Sequence, residues 1–170
     1  MQNLIIRITQ ENTKIIDDDK IGCFILPDTT SDAFAVKFVE AAAQKGKLVL
    51  TCGNNALSAY QKWHTDGLII DTSKEEKPQK SVKQVQAQAK KAIIGVVTRN
   101  RRHEAMLVSE CEPDFVIFRL WKDGLAENRE LIEWYSELFL IQCAAQPEEP
   151  CDYTDLPVDF IISDDTYYRV

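Results

Sequence analysis

The chain has 170 residues, 45% hydrophobic and 28% charged, with few Gly or Pro. That is enough for one domain, 1–170, with a proper core, and no apolar run approaches the ~20 residues that a membrane span needs. The net charge of −7 repels polyanions at long range, so a nucleic-acid partner is not expected.

The charge is uneven. Residues 74–104 carry nine basic and three acidic side chains, and residues 105–170 carry four and fifteen. The basic stretch has no interleaved aromatics to stack bases, so "KSVKQVQAQAKK" reads as the solvated face of a helix. The five cysteines are Cys23, Cys52, Cys111, Cys143 and Cys151, and no pair has CxxC spacing. An odd count at such spacings argues against a disulfide framework or structural zinc, and predicts small buried hydrophobes instead. The apolar core of "MQNLIIRITQENTK" is too short for a secretory signal, so a cytoplasmic protein is expected.

In chain order, "NLIIRIT" (3–9) reads as a strand and "KIIDDDKIG" (14–22) as an acidic turn. A phospho-acceptor reading of that turn fails, because the next strand, "CFIL" (23–26), leaves no room for the intervening helix. A helix is predicted from "TSD" (30–32) to Gly46, with Phe34, Phe38, Ala41 and Ala42 on one face. "KLVLTC" (47–52) follows, then a helix through Ala56, Ala59, Tyr60 and Trp63, then "DGLII" (66–70). The helix at 80–91 is apolar only at Val82, Val85 and Ala89 and should be the most exposed. "AIIGVV" (92–97) precedes a helix with Leu107, Val108 and Cys111. "DFVIF" (114–118) precedes a helix with Leu131, Trp134, Tyr135 and Leu138. "LFLIQCA" (138–144) and "DFIIS" (159–163) are the last two strands.

These runs are nearly continuous rather than alternating, the pattern of parallel strands buried on both faces. Repeated βα units with eight strands predict a trimmed (βα)8 TIM barrel, although about 250 residues is usual for that fold. The savings fall at the first and seventh helices. No helix fits between Thr9 and Cys23, and three prolines in "QPEEPCDYTDLP" (146–157) forbid a long one. The alternative is an open, doubly wound sheet of five or six strands.

In such a barrel the site lies at the C-terminal ends of the strands. The candidates there are Pro27 and Asp28; Gly53, Asn54 and Asn55; Asp71 to Lys74; Thr98 to Arg101; Arg119, Trp121, Lys122 and Asp123; Gln146, Glu148 and Glu149; and Asp164, Asp165 and Tyr167. There is no glycine after Gly124, so a backbone phosphate cradle after the last strands is not expected. Arg99, Arg101 and Arg102 open a helix, where the dipole disfavours cations unless an anion is held. Against that stands a plain solvated helix start with acid-paired arginines. His103 has no nucleophile near it in sequence and reads as a packed or surface histidine rather than a general base.

"DGLII" followed by "IIGVVTRNRRHEAMLVSECEPDFVIF" resembles the thiamine-phosphate synthase/TenI superfamily over roughly residues 22–165. Asp66-Gly67, Gly95-Val96, the helix through His103-Glu104-Ala105-Met106, and Asp114-Phe115-Val116 with Phe118 keep its register. The resemblance implies a TIM barrel and a link to thiamine biosynthesis. It also implies a pyrophosphate-releasing, magnesium-dependent synthase site, which this chain mostly lacks. The family's pyrophosphate-binding arginine falls on Ile25-Leu26-Pro27, its metal-binding aspartate on Lys74, its serine on Val97 and its Phe-Gly-Pro on Phe118-Arg119-Leu120. The expectation is therefore a pseudoenzyme of that superfamily with catalytic residues unknown, no metal site, and no cofactor unless magnesium serves a surviving activity. It would bind a small anionic or phosphorylated ligand through Arg99, Arg101, Arg119, Lys74 and Lys122. The alternatives are an active thiamine-phosphate synthase with a relocated site, or a non-catalytic scaffold whose shortened barrel edge is covered by a second copy in a homodimer.

Overall fold

The computed structural model describes residues 3–168. Eight parallel strands close into one barrel in sequence order: β1 (Asn3–Arg7), β2 (Ile21–Pro27), β3 (Leu48–Cys52), β4 (Gly67–Asp71), β5 (Ile93–Val97), β6 (Phe115–Leu120), β7 (Gln142–Pro147) and β8 (Phe160–Asp164). Five α-helices lie between them: α1 (Asp32–Gln44), α2 (Ala56–Trp63), α3 (Pro78–Gln88), α4 (Arg102–Ser109) and α5 (Leu125–Leu138). The barrel is the trimmed one that the sequence predicts. A single 3-10 turn, Lys14–Asp17, takes the place of the first helix, and no helix joins β7 to β8.

Alternation divides the apolar residues into two layers. Ile5, Ile25, Leu50, Ile69, Val97, Ile117, Ala144 and Ile162 meet inside the barrel, with Phe115 and Phe160 edge to face at 5.8 Å. A Cβ on Gly95 would stand 2.5 Å from the Phe115 ring, so that glycine makes room for it. The outward residues pack under the helices in two clusters, one around Phe24, Phe38 and Trp63 and one around Phe118, Leu131 and Tyr135.

Loops do the work of the missing helices. Ile15 and Ile16 are buried, and Lys47 Nζ donates to the carbonyls of Ile16 and Asp18 at 2.6 Å each. On the far side, Leu156 and Val158 join the core. Arg129 donates to the carbonyls of Asp152 (3.2 Å) and Thr154 (2.8 Å). These contacts hold the 148–158 segment against α5.

One device recurs at the N-terminal end of the barrel. Asp66, Asp114 and Asp159 stand just before β4, β6 and β8. The amide of each donates to the carbonyl of a residue in the preceding strand, Val49, Ile94 and Cys143 respectively, at 2.9 Å. Its carboxylate accepts from the same residue's amide, at 2.8, 2.7 and 2.9 Å. Each aspartate thus extends the ladder by one rung and fixes the register of a strand pair.

The last helix and strand differ from expectation. The apolar run 138–141 was expected to open β7, but α5 continues to Leu138 and β7 begins at Gln142. Phe139 stacks on Tyr135 at 4.8 Å and meets Trp134 at 5.5 Å, so it completes the helix packing. Leu138 and Leu140 are exposed. α1 matches its predicted limits: the Ser31 hydroxyl caps it by accepting from the Phe34 amide, and Gly46 ends it in the left-handed region (φ +68°).

Candidate functional site

Residues two positions beyond the inward apolar layer point into the barrel mouth at its C-terminal end. They are Arg7 after Ile5, Cys52 after Leu50, Asp71 after Ile69, Arg119 after Ile117, Gln146 after Ala144 and Asp164 after Ile162. All except Asp164 line one cavity of about 210 Å3, floored by Ile25, Ile69, Val97 and Ile162.

Two arginines organise the polar residues. Arg7 grips Asp164 with a fork, Nε to Oδ1 at 2.7 Å and Nη2 to Oδ2 at 3.1 Å. That pair raises the Arg7 pKa despite its burial. Arg119 is shared: Nη2 donates to Asp71 Oδ2 at 2.8 Å, while Nε lies 3.0 Å from Glu148 Oε1. The second contact has the distance of an ion pair without the angle of a hydrogen bond. The buried Arg119 Nε therefore has no hydrogen-bond partner among the described residues. Burial pushes the Asp71 carboxyl up, but the Ser73 hydroxyl and amide, together with Arg119, outweigh it and leave its pKa lowered. Burial also pushes the Cys52 thiol up, to about 11, so the thiol is neutral near pH 7.

Two further cavities flank this one and share Arg7 with it. A cavity of about 490 Å3 lies over the β1 and β2 loops, between Gln10, Glu11, Thr29, Thr30 and Ser31. A cavity of about 300 Å3 lies over β7 and β8, lined by Glu148, Glu149, Cys151, Tyr153, Asp164 and Tyr167. Asp165 steadies the first loop: its carboxylate accepts from the amides of Thr9 (3.0 Å) and Gln10 (3.2 Å) and from the Thr9 hydroxyl.

Of the five cations named from the sequence, the structure brings Arg119 to the mouth and does not gather the rest around it. Arg99 donates from Nε to the Ser73 carbonyl at 2.9 Å, and its guanidinium lies 3.9 Å from Glu104. Arg101 reaches the same carboxylate at 3.9 Å. Lys74 and Lys122 are exposed and line none of the three cavities. Arg102 lies over the Trp134 ring at 5.1 Å, and His103 is exposed. The arginines that open α4 are thus paired with an acid or stacked on an aromatic ring, and they form no common cradle. Arg7 and Cys52 are the mouth residues that the sequence reading missed. With β1 drawn to Thr9, Arg7 stood in mid-strand. Its signal was the alternation in "LIIRI", a charge two residues beyond an inward isoleucine.

No family model matches the chain, and no curated protein matches it in sequence. Solved structures do match. The barrel aligns with a variant of the citrate synthase SbnG at TM-score 0.69 and 10% identity, covering 98% of this chain and 87% of that one. It aligns with 3-keto-L-gulonate-6-phosphate decarboxylase from Vibrio cholerae at TM-score 0.66 and 9% identity, covering 96% and 88%. The YdjI aldolase from Escherichia coli K12 aligns at TM-score 0.73 and 13% identity, covering 95% and 74%. At these identities the likeness is one of fold. The fold is a TIM barrel.

The assignment to thiamine biosynthesis is corrected accordingly. These neighbours are aldolase- and decarboxylase-type barrels, not thiamine-phosphate synthases, and neither a synthase nor a TenI-type role stands. The physical reason lies in the residues that carried the resemblance. Asp66-Gly67 and Asp114-Phe115 are strand clamps at the end of the barrel opposite the mouth, and Gly95 accommodates Phe115. They record how a small parallel barrel closes, not what it binds. No helix among the described residues is long and apolar enough to cross a membrane.

Proposed function

We propose that the chain is a small-molecule-binding barrel whose ligand presents a carboxylate or carbonyl oxygen to Arg119 at the mouth. The observation that carries this reading is Arg119 itself, a half-buried guanidinium on the wall of a 210 Å3 cavity at the C-terminal mouth. An arginine fork is suited to a planar carboxylate. The position agrees with the rule that barrel sites lie at the C-terminal face.

Binding is favoured over acid–base turnover by what surrounds the arginine. Among the described residues no lysine or histidine lines the three cavities. The mouth carboxylates Asp71, Glu148 and Asp164 each lie within ion-pair distance of an arginine.

The test is a heteronuclear NMR titration with acetate, pyruvate and inorganic phosphate, following the Arg119 Nε–H resonance. Saturable shifts at the Arg119 Nε–H and at the amides of the cavity residues Cys52, Asp71 and Gln146 are expected for the carboxylates, the amide shifts being lost in Arg119→Gln. Shifts that survive in Arg119→Gln, or none at all, would refute the reading.

A further inference from the structure

An anion on Arg119 meets a charge imbalance. Arg7 and Arg119 face Asp71, Asp164 and Glu148 at the mouth, and Glu149 stands beside them on the wall of the 300 Å3 cavity. The two arginines are outnumbered, so a ligand that is only an anion enters a net-negative region. Like charges repel more strongly at a partly buried site than in bulk water. A carboxylate that brings its own positive charge avoids that repulsion.

The cavity over β7 and β8 is where such a charge fits. It adjoins the 210 Å3 cavity along Arg7 and Ile162. Tyr153 and Tyr167 line it and are 40% and 72% exposed. Among the described residues, the exposed aromatic side chains are Trp121, Tyr153 and Tyr167, which follow β6, β7 and β8 in turn. Exposed aromatic side chains thus gather on the β6–β8 side, while the half-buried Phe34 lines the cavity over the β1 and β2 loops. Aromatic rings beside carboxylates attract ammonium groups and planar cations.

We propose that the ligand is a zwitterion, its carboxylate held by Arg119 and its cationic group seated among Tyr153, Tyr167 and Glu149. This rests on the carboxylate reading of Arg119 and names the other end of the same ligand.

Two sets of probes test it by NMR titration of the full chain. One is hexanoate, 6-aminohexanoate and adipate; the other is benzoate, 4-(aminomethyl)benzoate and terephthalate. In at least one set the amino acid is expected to bind tenfold or more tighter than its parent acid, with the diacid weakest. Tyr153→Ala and Glu149→Gln, both at exposed or half-buried positions, are expected to bring that ratio below threefold. Parent acids that bind through Arg119 as tightly as their amino derivatives in both sets would overturn the zwitterion and leave the carboxylate reading standing. A preference that persists in both variants would overturn the seat assigned to the cation. No Arg119-dependent shift with any probe would overturn both.

Discussion

Arg119 holds two carboxylates with one guanidinium, and its replacement separates binding from stability. Its ion pairs are partly exposed, so Arg119→Gln is expected to cost no more than ~1 kcal/mol of folding stability, while binding of any carboxylate ligand falls at least tenfold. Asp71 reports the same contact through pH. Its folded pKa is depressed, so its contribution to stability is present above the ordinary carboxylate value of about 4 and is lost as pH falls through the lower folded value. Urea midpoints measured from pH 6 down to pH 2.5 should show part of this loss, and Arg119→Gln should reduce it and raise the Asp71 pKa. An unchanged Asp71 titration in the variant would contradict the contact. Cys52 makes a second prediction at this scale. With its thiol pushed up to about 11, only about one thiolate in a thousand exists at pH 8. Iodoacetamide followed by peptide mass spectrometry should find Cys52 hundreds of times slower than a free thiol in the native protein, and fast after denaturation. Rapid native alkylation would mean that the mouth is more open to solvent than its packing indicates.

At the scale of elements, the three aspartate clamps are the most economical order in the fold. Each combines a backbone bond with a charge-assisted bond to one residue of the preceding strand. Asp114→Ala removes the second and leaves the Ile94 amide without that acceptor, with an expected loss of ~1–3 kcal/mol read from chemical denaturation. A change below a few tenths would show that water replaces the carboxylate without cost. Gly67 sits beside one of these clamps, and a Cβ there would lie 2.0 Å from the Ile93 carbonyl oxygen. Gly67→Ala therefore forces strand backbones apart, and its destabilisation should exceed that of Asp114→Ala in the same assay. The strands were legible because burial on both faces leaves short continuous apolar runs. The β7 boundary was not, because "LFLI" is equally apolar whether Phe139 ends a helix against Tyr135 or begins a strand. Only the tertiary stack at 4.8 Å separates the two. The clamps were visible as recurrent aspartates before apolar runs, but their role needed the partner strand.

At the scale of the molecule, eight strands, the parallel barrel and both missing helices could be read from the chain. The site could be read only in part. Arg119, Gln146 and Asp164 were on the list of strand-end residues. Arg99, Arg101, Lys74 and Lys122 were grouped with Arg119 because neighbouring strands were taken to bring their cations together, yet Arg99 and Arg101 turn to Glu104 and the lysines to solvent. Sequence order places a side chain on a rim without saying which way the loop after it turns. Arg7 illustrates the opposite case: its partner Asp164 lies 157 residues away, a separation over which no local pattern carries information.

That same pair has a consequence for motion. Strands β1 and β8 form a seam, where the first strand of the ring meets the last, and it is flanked by the two places where the barrel lacks a helix. Arg7 to Asp164 and Asp165 to the Thr9 and Gln10 amides are stitches across it. Breathing should therefore be easiest here, and a molecule seated at the mouth would tighten the stitching. Amide hydrogen exchange is expected to be faster in β1 and β8 than in β4 and β5, and saturating ligand should slow it at the seam by more than it does elsewhere. Uniform protection around the ring would show that closure and occupancy are independent. A seam that answers to the ligand would make this barrel a ring whose clasp is its binding site.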